Sequence, residues 1–133
     1  RSRIMKSVRS KDTKPEKLVR SIVHTMGYRY RLHRKDLPGK PDLAFISAKK
    51  AVFVNGCFWH GHDCSKGRLP KTNLQFWTSK IEANKIRDEK NIRALSDMGW
   101  RTLTLWECEL SDKHQLKRQI KDFLSGSDYT FGN

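Results

Sequence analysis

Apolar and polar residues follow two different periods along the chain, and the first clear period is helical. Between residues 13 and 27, apolar side chains recur every three or four positions: Leu18, Val19, Ile22, Val23 and Met26. Thr13, Pro15 and Glu16 have the spacing of a capping box, with Thr13 as N-cap, and Gly27 is a typical stop. The pattern predicts a helix over this segment and explains Glu16 as a capping carboxylate.

Four further segments carry strand signals, either apolar–polar alternation or short apolar runs rich in β-formers. They are residues 28–33, 43–46, 51–54 and 100–106. A polar turn separates the second from the third, so these two predict a hairpin. Asp42 opens that hairpin after the turn segment 37–41, and an aspartate in such a position is usually a local cap.

A second helical pattern runs over residues 76–98 and carries polar residues on its apolar stripe. The apolar members, at about 100° per residue, are Trp77, Ile81, Ile92 and Leu95. Asn84, Lys85 and Asp88 lie on the same stripe. A helix that turns polar groups inward either lines a site or crosses a solvent gap. Asp88 is therefore of more interest than its neighbour Glu89, which the pattern places on a solvated face.

The remaining pattern predicts one closing helix and completes the order α, β, β, β, α, β, α. This helix carries Leu116, Ile120, Phe123 and Leu124, and residues 125–133 are expected to form a loosely ordered tail. Strands framed by helices indicate an α/β fold, a three-layer α/β/α sandwich with a mixed sheet. Residues 1–133 contain no repeat and suit one domain.

The charge balance indicates a polyanionic partner. The chain has 28 Lys and Arg against 14 Asp and Glu, a net charge of +14, which favours nucleic acid first and an anionic membrane surface second. With 32% charged residues and no long apolar run, a transmembrane span is excluded. Residues 1–12 are either a solvated terminus or a basic arm that contacts phosphates, with Met5 or Ile4 as an apolar wedge between bases. The chain opens without a methionine, so we expect a missing N-terminal piece.

Cysteine and histidine concentrate in one stretch that follows the hairpin. Cys57, Cys64 and the distant Cys108, together with one histidine, would complete a four-ligand structural zinc site. Three cysteines cannot all pair within one chain, which favours a metal in a reducing compartment. The alternative is three buried thiols that act as small hydrophobes. Spacing does not decide whether His60 or His62 is the fourth ligand.

The other reactive residues allow phosphoryl chemistry. Asp42 and a backbone carbonyl of the partner strand could hold Mg²⁺, and His60, if it is not a zinc ligand, could activate a water. The match to a nuclease signature of the P-D…(D/E)-x-K type is weak, because the second acid and the lysine are absent. Phe58 and Trp59 are adjacent aromatics in a polar loop; either one packs on the core or both form a wedge that stacks on bases.

Three segments together resemble the very short patch repair (Vsr) endonucleases. They are PGKPD ending at Asp42, the run VNGCFWHGHDC from Val54 to Cys64, and WEC ending at Cys108. The resemblance implies a type II restriction-endonuclease-like fold and a Mg²⁺-dependent enzyme that nicks double-stranded DNA 5′ of the thymine in a T:G mismatch. It also implies that the protein works in the bacterial cytoplasm, at the nucleoid. From the same resemblance we expect a monomer that has a mismatch-repair coupling protein as a partner.

The same resemblance implies a role for each site residue. Asp42 and the backbone of Val54 would hold Mg²⁺, His60 would activate water, and Glu16, Asn55 and Asp88 would complete the catalytic group. The zinc ligands would be Cys57, His62, Cys64 and Cys108. The DNA-intercalating residues would be Phe58, Trp59 and Met5.

Two positions depart from the best-known pattern of this family, which has a threonine and a histidine where this chain has Val54 and Asn55. Val54 can still offer its backbone carbonyl, but Asn55 can donate hydrogen bonds without carrying charge. This difference concerns rate and target more than reaction class. It motivates a second hypothesis, a related nuclease that cuts another DNA structure or site. A third is a non-catalytic, zinc-stabilised DNA-binding module; a catalytic zinc hydrolase is the weakest, since four protein ligands leave no open position.

Overall fold

The computed structural model describes residues 13–126, which form three helices and one four-stranded sheet. The helices are α1 (Lys14–Thr25), α2 (Leu74–Asp97) and α3 (Lys113–Ser125). The strands are β1 (Arg31–Leu32), β2 (Leu43–Phe45), β3 (Lys50–Asn55) and β4 (Arg101–Trp106). There are also two short 3₁₀ helices. Ser65–Gly67 follows the Cys- and His-rich stretch after β3, and Glu107–Glu109 follows β4. The order of helices and strands predicted from the sequence is confirmed.

The sheet is mixed, and its strands stand in chain order. Strand β2 pairs antiparallel with both β1 and β3, whereas β3 and β4 are parallel and are joined through α2. In the parallel pair, Lys50 lies opposite Arg101 and Asn55 opposite Trp106. The two strands therefore end together, and the residues that follow Asn55 and Trp106 leave the sheet at the same edge.

Helices cover both faces of the sheet, because side chains alternate along each strand. On one face, Leu43 and Val52 pack with Val19 of α1 and Ile120 of α3 in the larger buried cluster. On the other face, the smaller cluster contains Ala44, Ala51, Leu95 and Trp100. Helices α1 and α3 thus lie on one side and α2 on the other, as the predicted layers require.

Three boundaries differ from the sequence prediction. The first strand is only Arg31–Leu32: Tyr28 and Tyr30 lie before it with their rings against Phe45, and His33, which follows it, has a left-handed φ of +48°. Helix α2 begins at Leu74, before the predicted start. Helix α3 runs to Ser125, so the first residue of the predicted loose tail is helical, and 127–133 lie outside the described residues.

The N-terminal cap of α1 was predicted correctly only in part. The Thr13 side chain accepts a hydrogen bond from the Glu16 backbone N–H at 3.3 Å, as an N-cap should. The Glu16 carboxylate, however, contacts His33 and Arg20, and its residue is only 1% exposed. The interpretation of Glu16 as a capping carboxylate was therefore incomplete, because a contact across the fold competes for its side chain.

Lys50, the first residue of β3, is a buried charge. It lies at the end of the sheet where β3 and β4 begin, away from the residues that follow them. Its Nζ donates to the carbonyl oxygens of Phe123, Leu124 and Gly126, at 2.8, 3.1 and 2.8 Å. These carbonyls lie at or just past the C-terminal end of α3, where a cation is favoured. Between residues 13 and 126, no helix combines the length and the apolar character needed to cross a membrane.

Candidate active site and candidate metal centre

A cavity of about 730 Å³ lies beside the C-terminal end of β3 and contains most of the predicted catalytic residues. Asp42, Val54, Asn55, His60 and Asp88 all line it. The hairpin brings Asp42 next to the end of β3, and the loop after β3 and the polar stripe of α2 supply the remaining side chains. Elements separated in sequence by more than thirty residues therefore meet at one surface depression.

Asp42 is held by the backbone of the neighbouring strand. Its Oδ2 accepts a hydrogen bond from the Val54 N–H at 2.7 Å. Burial raises the pKa of the Asp42 carboxyl to about 6; the Val54 N–H partly offsets this, and the nearby Glu16 carboxylate adds to it. A buried carboxylate with this pKa gains from a cation, because a positive charge offsets the burial and the repulsion from Glu16.

His60 and Asp88 form a pair across the cavity. The Nδ1 atom of His60 lies 2.6 Å from Oδ2 of Asp88, and both side chains are about a quarter exposed, at 27% and 26%. This contact occupies one ring nitrogen and orients the imidazole, which leaves Nε2 as the nitrogen for proton exchange. The inward position of Asp88 on α2 follows from the polar stripe, and Asp88 lines the cavity as that stripe indicated.

Glu16, His33 and Asp42 form a second cluster around the same aspartate. One side-chain ligand atom from each lies within 4.8 Å of the others, and His33 Nε2 lies 2.5 Å from Oε2 of Glu16. The sequence pattern identifies His33 only as a polar strand residue and gives no sign of this role. His33 reaches Asp42 through the register of β1 and β2, in which Leu32 lies opposite Leu43, and no local pattern specifies that register.

The three cysteines converge with one histidine on a second, separate centre. The ligand atoms of Cys57, His62, Cys64 and Cys108 all lie within 4.8 Å of one another. The Cys108 N–H donates to Cys57 Sγ at 3.3 Å, and Cys108 Sγ lies 3.4 Å from His62 Nδ1. His62 is thus the histidine that joins the cysteines, a choice that spacing left open.

The parallel register of β3 and β4 explains this convergence. Asn55 lies opposite Trp106, so two residues later Cys57 and Cys108 leave the sheet side by side. The His62 ring stacks on Trp106 with centroids 4.2 Å apart and planes 12° apart. Three thiols and one imidazole form the donor set of structural zinc sites. Burial raises the pKa of the Cys57 thiol to about 12, so a metal is the partner that would hold it as thiolate at neutral pH.

Aromatic side chains cluster beside the cavity. Phe58 and Trp59 are half-buried, and their rings contact each other and Trp77 edge to face at centroid distances of 5.0, 5.3 and 5.8 Å. The Asn84 amide donates to the Trp59 carbonyl at 2.9 Å, and Arg87 donates to Oδ1 of Asn84 at 3.0 Å. Both aromatics contact Trp77 of α2 and both keep an exposed part, so core packing is not limited to one of them and intercalation stays a prediction.

Basic side chains also line the cavity. Lys35, Lys40 and Arg87 line it together with the acidic and histidine residues. Met5 and the basic arm at 1–12 lie outside the described residues. The cavity therefore combines carboxylates that favour a cation with lysines and an arginine that favour phosphate, on a chain of net charge +14.

Comparison with known proteins identifies relatives of this arrangement. Residues 1–66 match the profile of a family described as DNA mismatch endonuclease Vsr. The type II nicking enzyme V.XorIIP of Xanthomonas oryzae pv. oryzae is 53% identical over 93% of this chain and 91% of its own length. The type II nicking enzyme V.NmeAIP of Neisseria meningitidis is 45% identical, with 92% of each chain covered.

Two further similarities extend these findings. The DNA mismatch endonuclease Vsr of Escherichia coli is 37% identical over 87% of this chain and 74% of its own length. The catalytic domain of the homing endonuclease I-Bth0305I has a similar structure, with a TM-score of 0.58 and 26% identity, over 84% of this chain and 94% of that domain. Fold, site and sequence agree, and the chain belongs to the Vsr family of DNA endonucleases.

Proposed function

We propose that this endonuclease nicks double-stranded DNA on the 5′ side of the thymine in a T:G mismatch, by hydrolysis that depends on Mg²⁺. The observation that carries the proposal is the meeting of Asp42 with the His60–Asp88 pair in one cavity lined by basic residues. A partly buried carboxylate, an oriented imidazole and nearby cations are the parts that phosphodiester hydrolysis requires.

The proton-transfer role belongs to His60. Asp88 holds Nδ1 of the imidazole, so Nε2 can accept a proton from a water that attacks phosphorus. Asp88 then stabilises the imidazolium that forms. Asn55 lines the same cavity from the end of β3, where its amide can donate a hydrogen bond to a phosphate oxygen. Lys35 and Lys40 add positive charge on the side of the hairpin.

Mg²⁺ fits the oxygen atoms around Asp42. The carboxylate of Asp42 and the backbone carbonyl of Val54 would hold it, with Glu16 nearby as a further acid. When bound, the ion supplies Lewis-acid stabilisation of charge on the scissile phosphate. The elevated pKa of Asp42 supports this assignment, because a cation relieves the cost of burying its charge.

Zinc fits the centre formed by Cys57, His62, Cys64 and Cys108, and we propose a structural role for it. Four protein ligands close a tetrahedral site and leave no position for substrate. The site would join the loop after β3 to the end of β4, and that loop carries His60. Zinc would therefore hold the general base in place without taking part in the reaction.

Phe58 and Trp59 are proposed to intercalate beside the mismatch. They lie in the loop between Asn55 and His60, next to the cavity, and both rings are only half-buried. A weakly paired T:G step costs less to unstack than a Watson–Crick step, so an aromatic wedge would favour it. Met5, from the arm at 1–12, is proposed to support the wedge.

We further propose that the protein acts as a monomer in the bacterial cytoplasm, at the nucleoid, and engages a mismatch-repair coupling protein.

A second candidate differs only in its target. Two of the relatives above are named type II nicking enzymes, and Val54 and Asn55 depart from the familiar pattern at the edge of the cavity. These observations favour a recognition sequence of a restriction type around the mismatch, or another DNA structure altogether. The reaction would be the same nick.

A strand-resolved nicking assay tests both candidates. The substrates are end-labelled duplexes with a T:G mismatch or with T:A or C:G at that position, in several flanking sequences, with and without Mg²⁺. A Mg²⁺-dependent nick directly 5′ of the mismatched thymine supports the proposal. Cutting of every duplex would retain the nuclease and discard the repair role. Binding without cutting by the wild type, and the same behaviour in Asp42→Asn, would indicate a DNA-binding module.

A further inference from the structure

The cluster of Glu16, His33 and Asp42 contains a nitrogen donor that the proposed mechanism does not use. Each residue comes from a different place: the first turn of α1, the residue after β1, and the residue before β2. Their ligand atoms nevertheless lie within 4.8 Å of one another, a spacing that one bound cation can bridge. Three donors brought together by tertiary structure are a stronger signal than neighbours in sequence.

Backbone contacts fix the position of His33. Its N–H donates to the Asp42 carbonyl at 3.3 Å, which continues the β1–β2 ladder by one residue. Its φ of +48° lies in the left-handed region, which few residues other than glycine adopt and in which histidine is enriched. The imidazole then reaches Glu16, which is 1% exposed. The structure thus holds an imidazole against a buried carboxylate beside the proposed Mg²⁺ ligand.

The charge of this cluster favours a cation. Two carboxylates contribute −2, and Arg20, 3.6 Å from Glu16, contributes +1, which leaves −1 when His33 is neutral. The donors are two oxygens and one ring nitrogen. Mg²⁺ strongly prefers oxygen, whereas Mn²⁺ and later first-row ions accept carboxylate and imidazole together. The donor set is therefore better matched to a transition ion than to Mg²⁺.

We propose that Glu16, His33 and Asp42 form a mixed oxygen–nitrogen cation site, in which His33 makes the protein bind Mn²⁺ more tightly than Mg²⁺. The inference rests on the proposed function, because it shares Asp42 with the Mg²⁺ site. It adds a ligand and a selectivity: His33 is a determinant of which ion occupies the site. The substrate, the general base and the zinc centre are unaffected by it.

The test measures metal binding by the zinc-loaded protein without DNA. Mn²⁺ and Mg²⁺ are titrated separately by calorimetry, and bound Mn²⁺ is examined by electron spin echo spectroscopy for coupling to a ligand ¹⁴N nucleus. Three variants are compared with the wild type: His33→Gln, which keeps a side-chain oxygen; His60→Gln, which keeps His33; and His24→Gln, an exposed histidine at the end of α1. Thermal melting and zinc content establish that each variant is folded.

The expected result is nitrogen coupling in the wild type, His60→Gln and His24→Gln, and its loss in His33→Gln. The ratio of Mn²⁺ to Mg²⁺ affinity should fall about tenfold in His33→Gln, the usual scale for disturbing one member of a metal site. No nitrogen coupling in the wild type, or coupling that survives in His33→Gln, would overturn the proposal. An unchanged affinity ratio would do the same.

The wild type alone keeps the proposal testable if His33→Gln does not fold. Protein labelled with ¹⁵N-histidine must then change the spin echo spectrum of bound Mn²⁺, and the His60→Gln variant must still show the coupling. Failure of the proposed function is a different result, seen only with DNA. Nitrogen coupling without nicking in either ion would reject the nuclease and keep this site, and Mg²⁺-dependent nicking without coupling would do the reverse.

Discussion

Single side chains in this protein derive their chemistry from what the fold places beside them. Asp42 is the clearest case, because the same residue in an isolated hairpin would be an ordinary turn aspartate. Burial and Glu16 instead raise its pKa from 3.8 to about 6. His60 is likewise defined by its contact with Asp88, which selects the nitrogen that can exchange a proton. Both effects lead to a measurable consequence.

Asp42→Asn should stabilise the protein at neutral pH in the absence of Mg²⁺. The folded pKa is raised, so the native state binds more protons than the unfolded state between about pH 4 and 6, and wild-type stability falls as pH rises through this window. The amide carries no charge at any pH, so its advantage should reach about 3 kcal/mol at most at pH 7 and vanish near pH 4. Chemical denaturation across this range measures it; a pH-independent difference would contradict the prediction.

Asp88→Asn should slow nicking while leaving DNA binding intact. Asparagine can still contact Nδ1 of His60, but it cannot stabilise an imidazolium, so the single-turnover rate should fall by about 10²–10³-fold. Fluorescence anisotropy gives the affinity separately. The matched control is Glu89→Gln, the exposed neighbour on α2, which should retain the wild-type rate. Equal rates in the two variants would exclude Asp88 from the reaction.

At the scale of elements, the two ends of β3 are held by contacts with helices. Lys50, at the start of β3, donates to three carbonyl oxygens at the end of α3, and its Nζ lies 5.6 Å from the centroid of the Phe123 ring. At the other end of β3, the loop with Phe58 and Trp59 packs on α2 through Trp77. One strand therefore positions a helix at one end and the loop with Phe58 and Trp59 at the other.

Lys50→Met should destabilise the fold without altering the site. It would leave the carbonyl groups at the end of α3 without their cation, and we expect a loss of about 2–3 kcal/mol in the free energy of unfolding. Lys121→Met, on the exposed side of α3, is the control and should change stability by less than about 0.5 kcal/mol. Urea denaturation compares the two; equal stabilities would show that the Lys50 contacts contribute nothing net.

Trp59→Ala should weaken binding to mismatched DNA more than binding to paired DNA. If its ring stacks on a base, truncation should cost about 1–3 kcal/mol on the T:G duplex. Paired DNA, held mainly through phosphates, should lose little. Trp59→Phe keeps an aromatic face and should recover part of the loss. Equal losses on both duplexes would mean that Trp59 supports the loop and does not intercalate.

At the scale of the whole molecule, the fold brings two groups of side chains to the same end of the sheet. The parallel pair β3–β4 delivers Cys57 and Cys108 to the proposed zinc centre, and the hairpin delivers Asp42 to the cavity. His60 and His62 are two residues apart, yet one lines the cavity and the other joins the cysteines. Gly61, between them, has a φ of +66°, and a Cβ there would lie 2.6 Å from Lys85.

His62→Gln and His60→Gln should therefore have opposite phenotypes. His62→Gln should lose zinc and lower the melting temperature, because a structural metal contributes directly to folding. His60→Gln should keep zinc and the wild-type melting temperature but lose nicking. Metal analysis, calorimetry and the mismatch assay distinguish them. Zinc loss in His60→Gln, or full zinc content in His62→Gln, would reverse the assignment of the two histidines.

The sequence by itself determined the order of the elements, the mixed α/β architecture and the residue types of both centres. These depend on local rules. Thr13 and Gly27 mark the two ends of a helix, the alternation of apolar and polar residues indicates strands, and the concentration of Cys and His in one loop indicates a metal. Only the tertiary structure decided which residues meet. Strand register brought His33 beside Asp42 and Cys57 beside Cys108, and the fold placed the Glu16 carboxylate against His33. Strand register and side-chain partners arise from contacts between distant segments, so no local pattern specifies them.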